Sequence, residues 1–220
     1  MYESLVDYKN PNSLALRSRK KRFDFFLTQV DKLKKPVRIL DVGGTQKFWD
    51  SMSFTDSNVI DVSLLNLSHQ ETNYPNFRSV VGDATDMKEF PDGHFDLVFS
   101  NSVIEHLFTW ENQVKMASEI RRVGKNYFVQ TPNYWFPIEP HFVFPLFQYL
   151  PKSLRVSLIS NFKLGHHPKY DDRNMATQRV EEVKLLSIGQ MRRLFPESNI
   201  YLDKFYGLNK SIVAYNFSQP

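Results

Sequence analysis

Apolar positions along the chain follow three successive patterns. Leu16, Phe23, Phe26, Leu27, Val30 and Leu33 recur at helical spacing, which predicts a helix over about residues 13–34, capped near Asn12 or Ser13 and stopped by Pro36. Beyond Pro36, short apolar runs at 37–40, 60–67, 77–81, 95–100 and 127–130 read as strands separated by turns or helices. Leu97-Val98-Phe99 and Tyr127-Phe128-Val129 are unbroken, as in strands covered on both faces. Between these two, Val114, Ala117, Ile120 and Arg121 mark a helix that Gly124 ends. Only residues 68–76 join the second strand to the third, fewer than a helical crossover usually takes, so a helix is expected to be missing there.

The chain closes on a different note. Ser187 can cap a helix running through Leu194, and strands at 200–205 and 211–215 flank Gly207-Leu208-Asn209. So short a return allows only antiparallel pairing. The pattern predicts an α/β fold, a mostly parallel sheet finished by an antiparallel hairpin. Residues 133–183 fit neither pattern. They hold Tyr134, Trp135, Phe136, Phe142, Phe144, Phe147 and Tyr149 among several prolines, and read as an irregular aromatic lid or, more plainly, as a hydrophobic sub-core. That lid follows directly on a strand's C-terminal end, where open α/β sheets bind ligands.

Composition narrows the field. At 220 residues, 41% hydrophobic and 24% charged, the chain suits one globular domain spanning 1–220. It has no cysteine, which excludes disulfides, thiolate metal sites and a cysteine nucleophile. The acidic N-terminal stretch does not read as a signal peptide and no apolar run is long enough for a membrane span, so a cytoplasmic location is expected. Charge is local. Arg17 to Lys35 carries eight basic residues against two acids, +6 of a net +4, leaving −2 elsewhere. The plain reading is a solvated cationic face on a packed helix; an anionic substrate, nucleic acid or a peripheral lipid contact stays open.

Candidate chemistry lies at the strand ends. After the first strand comes Asp41-Val42-Gly43-Gly44-Thr45, where glycine allows close backbone approach and a helix start offers N–H groups to an anion. No glycine follows Gly44 until Gly82, and there is no Gly-Lys-Ser/Thr, so neither a dinucleotide fingerprint nor a P-loop is present. The ligand's anionic group should be smaller than a pyrophosphate, such as an amino-acid carboxylate. Further on come Gly82-Asp83-Ala84 and Phe95-Asp96-Leu97-Val98-Phe99-Ser100-Asn101-Ser102-Val103-Ile104-Glu105-His106.

In this order and spacing the blocks resemble the class I S-adenosylmethionine-dependent methyltransferases, in their small-molecule branch, over roughly residues 37–131 and 185–216. The resemblance implies a Rossmann-like, doubly wound seven-stranded sheet and S-adenosyl-L-methionine as cofactor. It implies Asp41, Gly43, Gly44 and Thr45 around the methionine part, Asp83 and the backbone of Ala84 at the adenine, and Asn101 and Ser102 beneath the sulfonium. This chain has Thr45 and Lys47 where the family has its later loop glycines. The family's ribose acid has two candidate counterparts: Asn66, favoured because it ends the better apolar run and would bring Leu67 onto the adenine, and Asp61.

Methyl transfer to oxygen or nitrogen can use a base, and His106 and His141 are the candidates, with Glu139 able to orient either. Trp135, Phe136 and Glu139 are expected on the acceptor side. His166, His167, Asp171 and Asp172 read as a polar loop, and no metal ligand set is assigned. The expected function is methylation, at oxygen, of a small natural-product, glycan or lipid-linked acceptor. RNA methylation, suggested by the basic helix, and a non-catalytic methyltransferase-like scaffold are the alternatives.

Overall fold

The computed structural model describes residues 14–217 apart from His166. Nine strands follow in chain order: β1 (Val37–Val42), β2 (Ile60–Asn66), β3 (Phe77–Val81), β4 (Leu97–Asn101), β5 (Tyr127–Pro132), β6 (Ile138–Glu139), β7 (Phe144–Pro145), β8 (Asn199–Phe205) and β9 (Leu208–Asn216). Seven of them form one sheet in the order β3-β2-β1-β4-β5-β9-β8. β1 to β5 are parallel, and β9 runs against both β5 and β8. This is the mostly parallel sheet with a closing hairpin that the sequence pattern predicts, and its seven strands are the Rossmann-like arrangement that the resemblance implies.

Among the described residues there are six α-helices, α1 (Leu14–Val30), α2 (Gln46–Ser51), α3 (Trp110–Val123), α4 (Lys152–Asn161), α5 (Arg173–Glu182) and α6 (Ile188–Leu194), of which α1, α2, α3 and α6 pack on the sheet. On one face Phe23, Phe26 and Val30 of α1 and Trp49 of α2 pack on Ile39, Phe99 and Phe128. On the other, Met116, Ile120 and Val123 of α3 and Met191 and Leu194 of α6 pack on Leu40, Val98 and Val129. Each such side chain contributes about 1.5–3 kcal/mol by leaving water. Local chemistry sets the boundaries. The Thr109 hydroxyl accepts from Asn112 N at the start of α3, and Ser187 and Gln190 form a capping box on α6.

No helix separates β2 from β3, in line with the short spacing. The loop is held instead by Asn73 N donating to Gln46 Oε1 at 2.6 Å and Gln70 N donating to Ser79 Oγ at 2.9 Å. The N-terminal helix stops at Val30 and not near 34, because Lys32 N and Leu33 N turn back onto Gln29 O and Val30 O in tighter 3₁₀-type bonds. Its expected cap, Asn12 or Ser13, lies outside the described residues.

The segment at 133–183 departs most from expectation. It is a small folded unit, not an irregular cover: β6 pairs with β7, and Phe142, Phe147, Val156, Ile159, Ala176 and Val180 close a core of their own with α4 and α5. Its two ends meet, since Asn133 bridges to Leu186 and Tyr134 N donates to Leu186 O at 3.0 Å. Each of its helices buries only two apolar side chains, too few to give a clear helical pattern. No helix among the described residues is long and apolar enough to cross a membrane.

Candidate functional site

The parallel register brings the C-terminal ends of β1, β2, β4 and β5 to one edge of the sheet, and the backbone extends it. Gly43 N donates to Leu65 O, Gly82 N to Asn66 O and Ser102 N to Gln130 O, at 2.8, 2.9 and 3.0 Å. Asp41 ends β1 almost wholly buried. One of its oxygens accepts from Trp49 Nε1 at 2.8 Å, and the other, Oδ1, is buried with no partner. Burial pushes this carboxyl up to about 7, against the hydrogen bond from Trp49. Gly43 has φ +74°, the left-handed region, and a Cβ there would lie 2.5 Å from Val103. A Cβ on Gly44 would lie 1.7 Å from the Asp41 carboxylate. The glycines are thus demanded first by the turn's own packing. Thr45 precedes α2 in an extended conformation and makes no side-chain cap.

Asn66 ends β2 at the same edge, its amide donating to Gly44 O at 2.8 Å. Leu67 follows, 82% exposed. Asp61 sits at the opposite end of β2, opposite Arg38 in the register, and is ion-paired to Arg78. The structure therefore brings Asn66, and not Asp61, to the edge that holds Asp41. Asp83 accepts from both N and Oγ1 of Thr85, a local turn beside half-buried Ala84. Asn101 closes β4, and Ser102, at φ +59°, turns the chain while its hydroxyl donates to Gln130 Oε1 at 2.9 Å.

Beyond Ser102 the chain packs Val103 onto Gly43 and makes a 3₁₀ turn, Ile104–His106. That turn and the start of the 133–183 unit place Glu105, His106 and His141 together, one ligand-type atom of each within 4.8 Å of the others. The imidazoles of His106 and His141 meet edge to face with centroids 4.8 Å apart. Glu105 is fully buried. Its Oε2 accepts from Thr131 Oγ1 at 3.0 Å, and its Oε1 is buried without a partner. Glu139, also buried, holds His141 Nδ1 at 2.6 Å with one oxygen and accepts from Phe142 N at 2.6 Å with the other. Burial raises Glu105 to about 7 and lowers His106 to about 4. Burial also pulls on His141, but the Glu139 hydrogen bond and the charges of Glu139 and Glu105 outweigh it, and its pKa is raised.

Comparison with known proteins bears on this edge directly. Residues 40–127, from β1 into β5, match the family model described as a methyltransferase domain. Over this stretch, less than half of the chain, the protein is similar to methyltransferase domains. A 53-residue stretch is 43% identical to an uncharacterized protein of Mycobacterium tuberculosis, found in two strains; it covers 24% of this chain and only 18% of that protein's length. A possible exported protein from Bordetella parapertussis has the same fold at 13% identity and TM-score 0.55, over 94% of this chain and 70% of its own. A SAM-dependent methyltransferase from Methanosarcina mazei does so at 9% identity and TM-score 0.51, over 84% and 93%.

S-adenosyl-L-methionine is the cofactor that similarity to methyltransferase domains implies, and the edge fits it. The orphaned Asp41 Oδ1 suits a cationic amino group, the exposed Leu67 offers apolar surface to an adenine, and Asn66 keeps an amide oxygen for a ribose hydroxyl. The fit makes no use of Lys47.

Around this edge the structure also shows side chains that sequence reading passes over. Arg22 of α1 is buried, not part of a solvated face. Its Nη1 donates to Asp203 Oδ2 at 3.0 Å and its Nη2 to Asn101 Oδ1 at 3.1 Å. Trp49, Thr131, Gln130 and Asp203 likewise carry no motif of their own. Trp135 is 66% exposed and stacks near Tyr149, whereas Phe136 is buried against Phe205. Of the polar loop, His166 lies outside the described residues. Asp172 caps α5 and Asp171 pairs with Lys169, so neither joins His167 in a ligand set.

Proposed function

We propose that the methyltransferase domain moves a methyl group from S-adenosylmethionine to a hydroxyl oxygen of a small acceptor, of the natural-product, glycan or lipid-linked kind. One observation carries this reading: Glu105, His106 and His141 converge at the ends of β4 and β5, beside Val103, which packs on the Gly43 turn. Bound at the turn, S-adenosylmethionine supplies an electrophilic methyl carbon on sulfur.

The chain's own residues do the rest. The amides after Gly43 meet the carboxylate of the methionine part, Asp41 its amino group, and Asn66, Asp83 and Ala84 the nucleoside. Asn101 and Ser102 set the floor, and Arg22 fixes the Asn101 side chain from beneath. Trp135 borders the acceptor and the 133–183 unit keeps water out. The cofactor held at the turn would supply the methyl group to the acceptor oxygen and keep the sulfur as a neutral thioether, and the cluster of Glu105, His106, His141 and Glu139 would take the proton that the acceptor hydroxyl gives up. Holding oxygen, carbon and sulfur in line can supply roughly 7–11 kcal/mol of rate acceleration.

The test is incubation with trideuteromethyl-labelled cofactor and the small-molecule fraction of a cell extract, with RNA in parallel, followed by mass spectrometry. Label on a small hydroxyl compound is the expected result. Label confined to RNA would replace this reading with nucleic-acid methylation, and absence of both label and S-adenosylhomocysteine binding would leave a scaffold.

A further inference from the structure

We infer that Glu105, His106 and His141 form a binding site for one divalent transition-metal ion of the zinc class, with Glu139 orienting His141 toward it. Three features point this way. The three ligand-type atoms lie within 4.8 Å of one another. Ligands around one such ion stand roughly 3–4 Å apart, given bonds of about 2.0–2.2 Å, so the atoms need draw in by only about 1 Å.

The second feature is the carboxylate. Glu105 is 0% exposed, yet its Oε1 has no hydrogen-bond partner. A buried, unpaired carboxylate oxygen is costly, and a cation is the partner that removes the cost. The formal charges agree. Glu105 and Glu139 bring two carboxylates into the fold here against the one positive charge that His141 can carry, while Arg179 and Glu182, which also act on His106, are bonded to each other.

The third feature is the second layer. Glu139 Oε1 lies 2.6 Å from His141 Nδ1. A carboxylate beside Nδ1 favours a proton there and leaves Nε2 as the nitrogen for a metal, the carboxylate–histidine pairing that metal-binding imidazoles use. Two imidazoles and one carboxylate match catalytic zinc sites, which keep a coordination position open for water or substrate. Such an ion would bind the acceptor oxygen and ease loss of its proton. That last role rests on the proposed function, whereas the site does not.

Tag-free protein is dialysed against chelator, then titrated with Zn²⁺ by calorimetry and with Co²⁺ by visible absorption, with Mg²⁺ as control. One equivalent of Zn²⁺ and a d–d band with Co²⁺ are expected, without response to Mg²⁺. His106→Ala, His141→Ala and Glu105→Gln should each weaken Zn²⁺ by at least about 100-fold, and Glu139→Gln by about 10–100-fold. Glu105→Gln keeps the acceptor for Thr131, so its folding, checked by circular dichroism, should persist. Zn²⁺ affinity unchanged in His141→Ala, or no Co²⁺ band in the parent protein, overturns the site. S-adenosylhomocysteine binding and methyl transfer, measured on the same samples, separate the two ideas. Zinc bound without transfer to any small acceptor overturns only the acceptor reading; transfer undiminished by chelator, with no Co²⁺ band, overturns only the metal.

Discussion

Trp49 donates its indole N–H to the Asp41 carboxylate at 2.8 Å, tying the first turn of α2 to the end of β1 from inside the core. This is the only hydrogen bond that reaches the carboxylate among the described residues, since Oδ1 has none. Trp49→Phe keeps an aromatic ring among Phe23, Phe26 and Phe99 but removes the donor. Losing one partner of a buried charge should destabilise the fold by about 1.5–3 kcal/mol at pH 8, and less at pH 5. Urea midpoints at the two pH values test this; equal losses at both would contradict it.

The same carboxylate sets a pH dependence. Its folded value, about 7, lies above the ordinary 3.8, because burial favours the neutral form. The folded state therefore holds a proton that the unfolded chain releases. Without cofactor, stability should fall as pH rises from about 4 to about 7 and level off above. The contribution is on the order of 4 kcal/mol at most. Glu105 is raised in the same window, so the comparison is between variants. Asp41→Asn should flatten part of the slope while weakening S-adenosylhomocysteine binding. A slope identical to the parent's would show that Asp41 does not titrate across this range.

Gly44 and Asp41 occupy one space. A Cβ at Gly44 would stand 1.7–2.3 Å from all three carboxylate atoms, so Gly44→Ala must expel the carboxylate or move the turn. A loss of at least about 3 kcal/mol is expected. Asp41→Ala empties the space, and the double variant should then be more stable than the sum of the two single losses by about 1–3 kcal/mol. Additive losses in a thermal-unfolding cycle would show that the crowding is not what requires glycine.

How far the sequence discloses this site depends on the kind of interaction. Runs such as Leu97-Val98-Phe99 announce buried strands because burial on both faces leaves its mark on consecutive residues. Strand ends follow from them, which is why the sequence favours Asn66 over Asp61 as the residue on the edge of Asp41. Contacts made across space leave no such mark. Glu105 stands beside His106 in the chain, but its meeting with His141 depends on how the 133–183 unit folds back, and that unit's short helices carry little apolar signal. Arg22 reads as one more cation on a basic helix. Only the fold shows that Asp203, from the closing hairpin, meets it.

Arg22 and Asp203 supply the final prediction. Asp203 is 0% exposed, and its Oδ2 accepts from Ser18 and Ser211 as well as from the guanidinium. Arg22→Met would keep most of the side chain's packing but leave a buried carboxylate held by hydroxyls alone, a loss of about 3–5 kcal/mol. Pairing it with Asp203→Leu removes the stranded charge, so the double variant should recover much of that loss. The guanidinium also spans to Asn101 at 3.1 Å, a reach that depends on its fork. Arg22→Lys should therefore retain more stability than Arg22→Met yet bind S-adenosylhomocysteine several-fold more weakly, because an ammonium cannot hold Asp203 and Asn101 at once. Urea denaturation and calorimetry on the three variants decide the matter. Parent-like affinity in Arg22→Lys would mean that Asn101 is held by other contacts, and parent-like stability in Arg22→Met would mean that the ion pair is incidental to the fold.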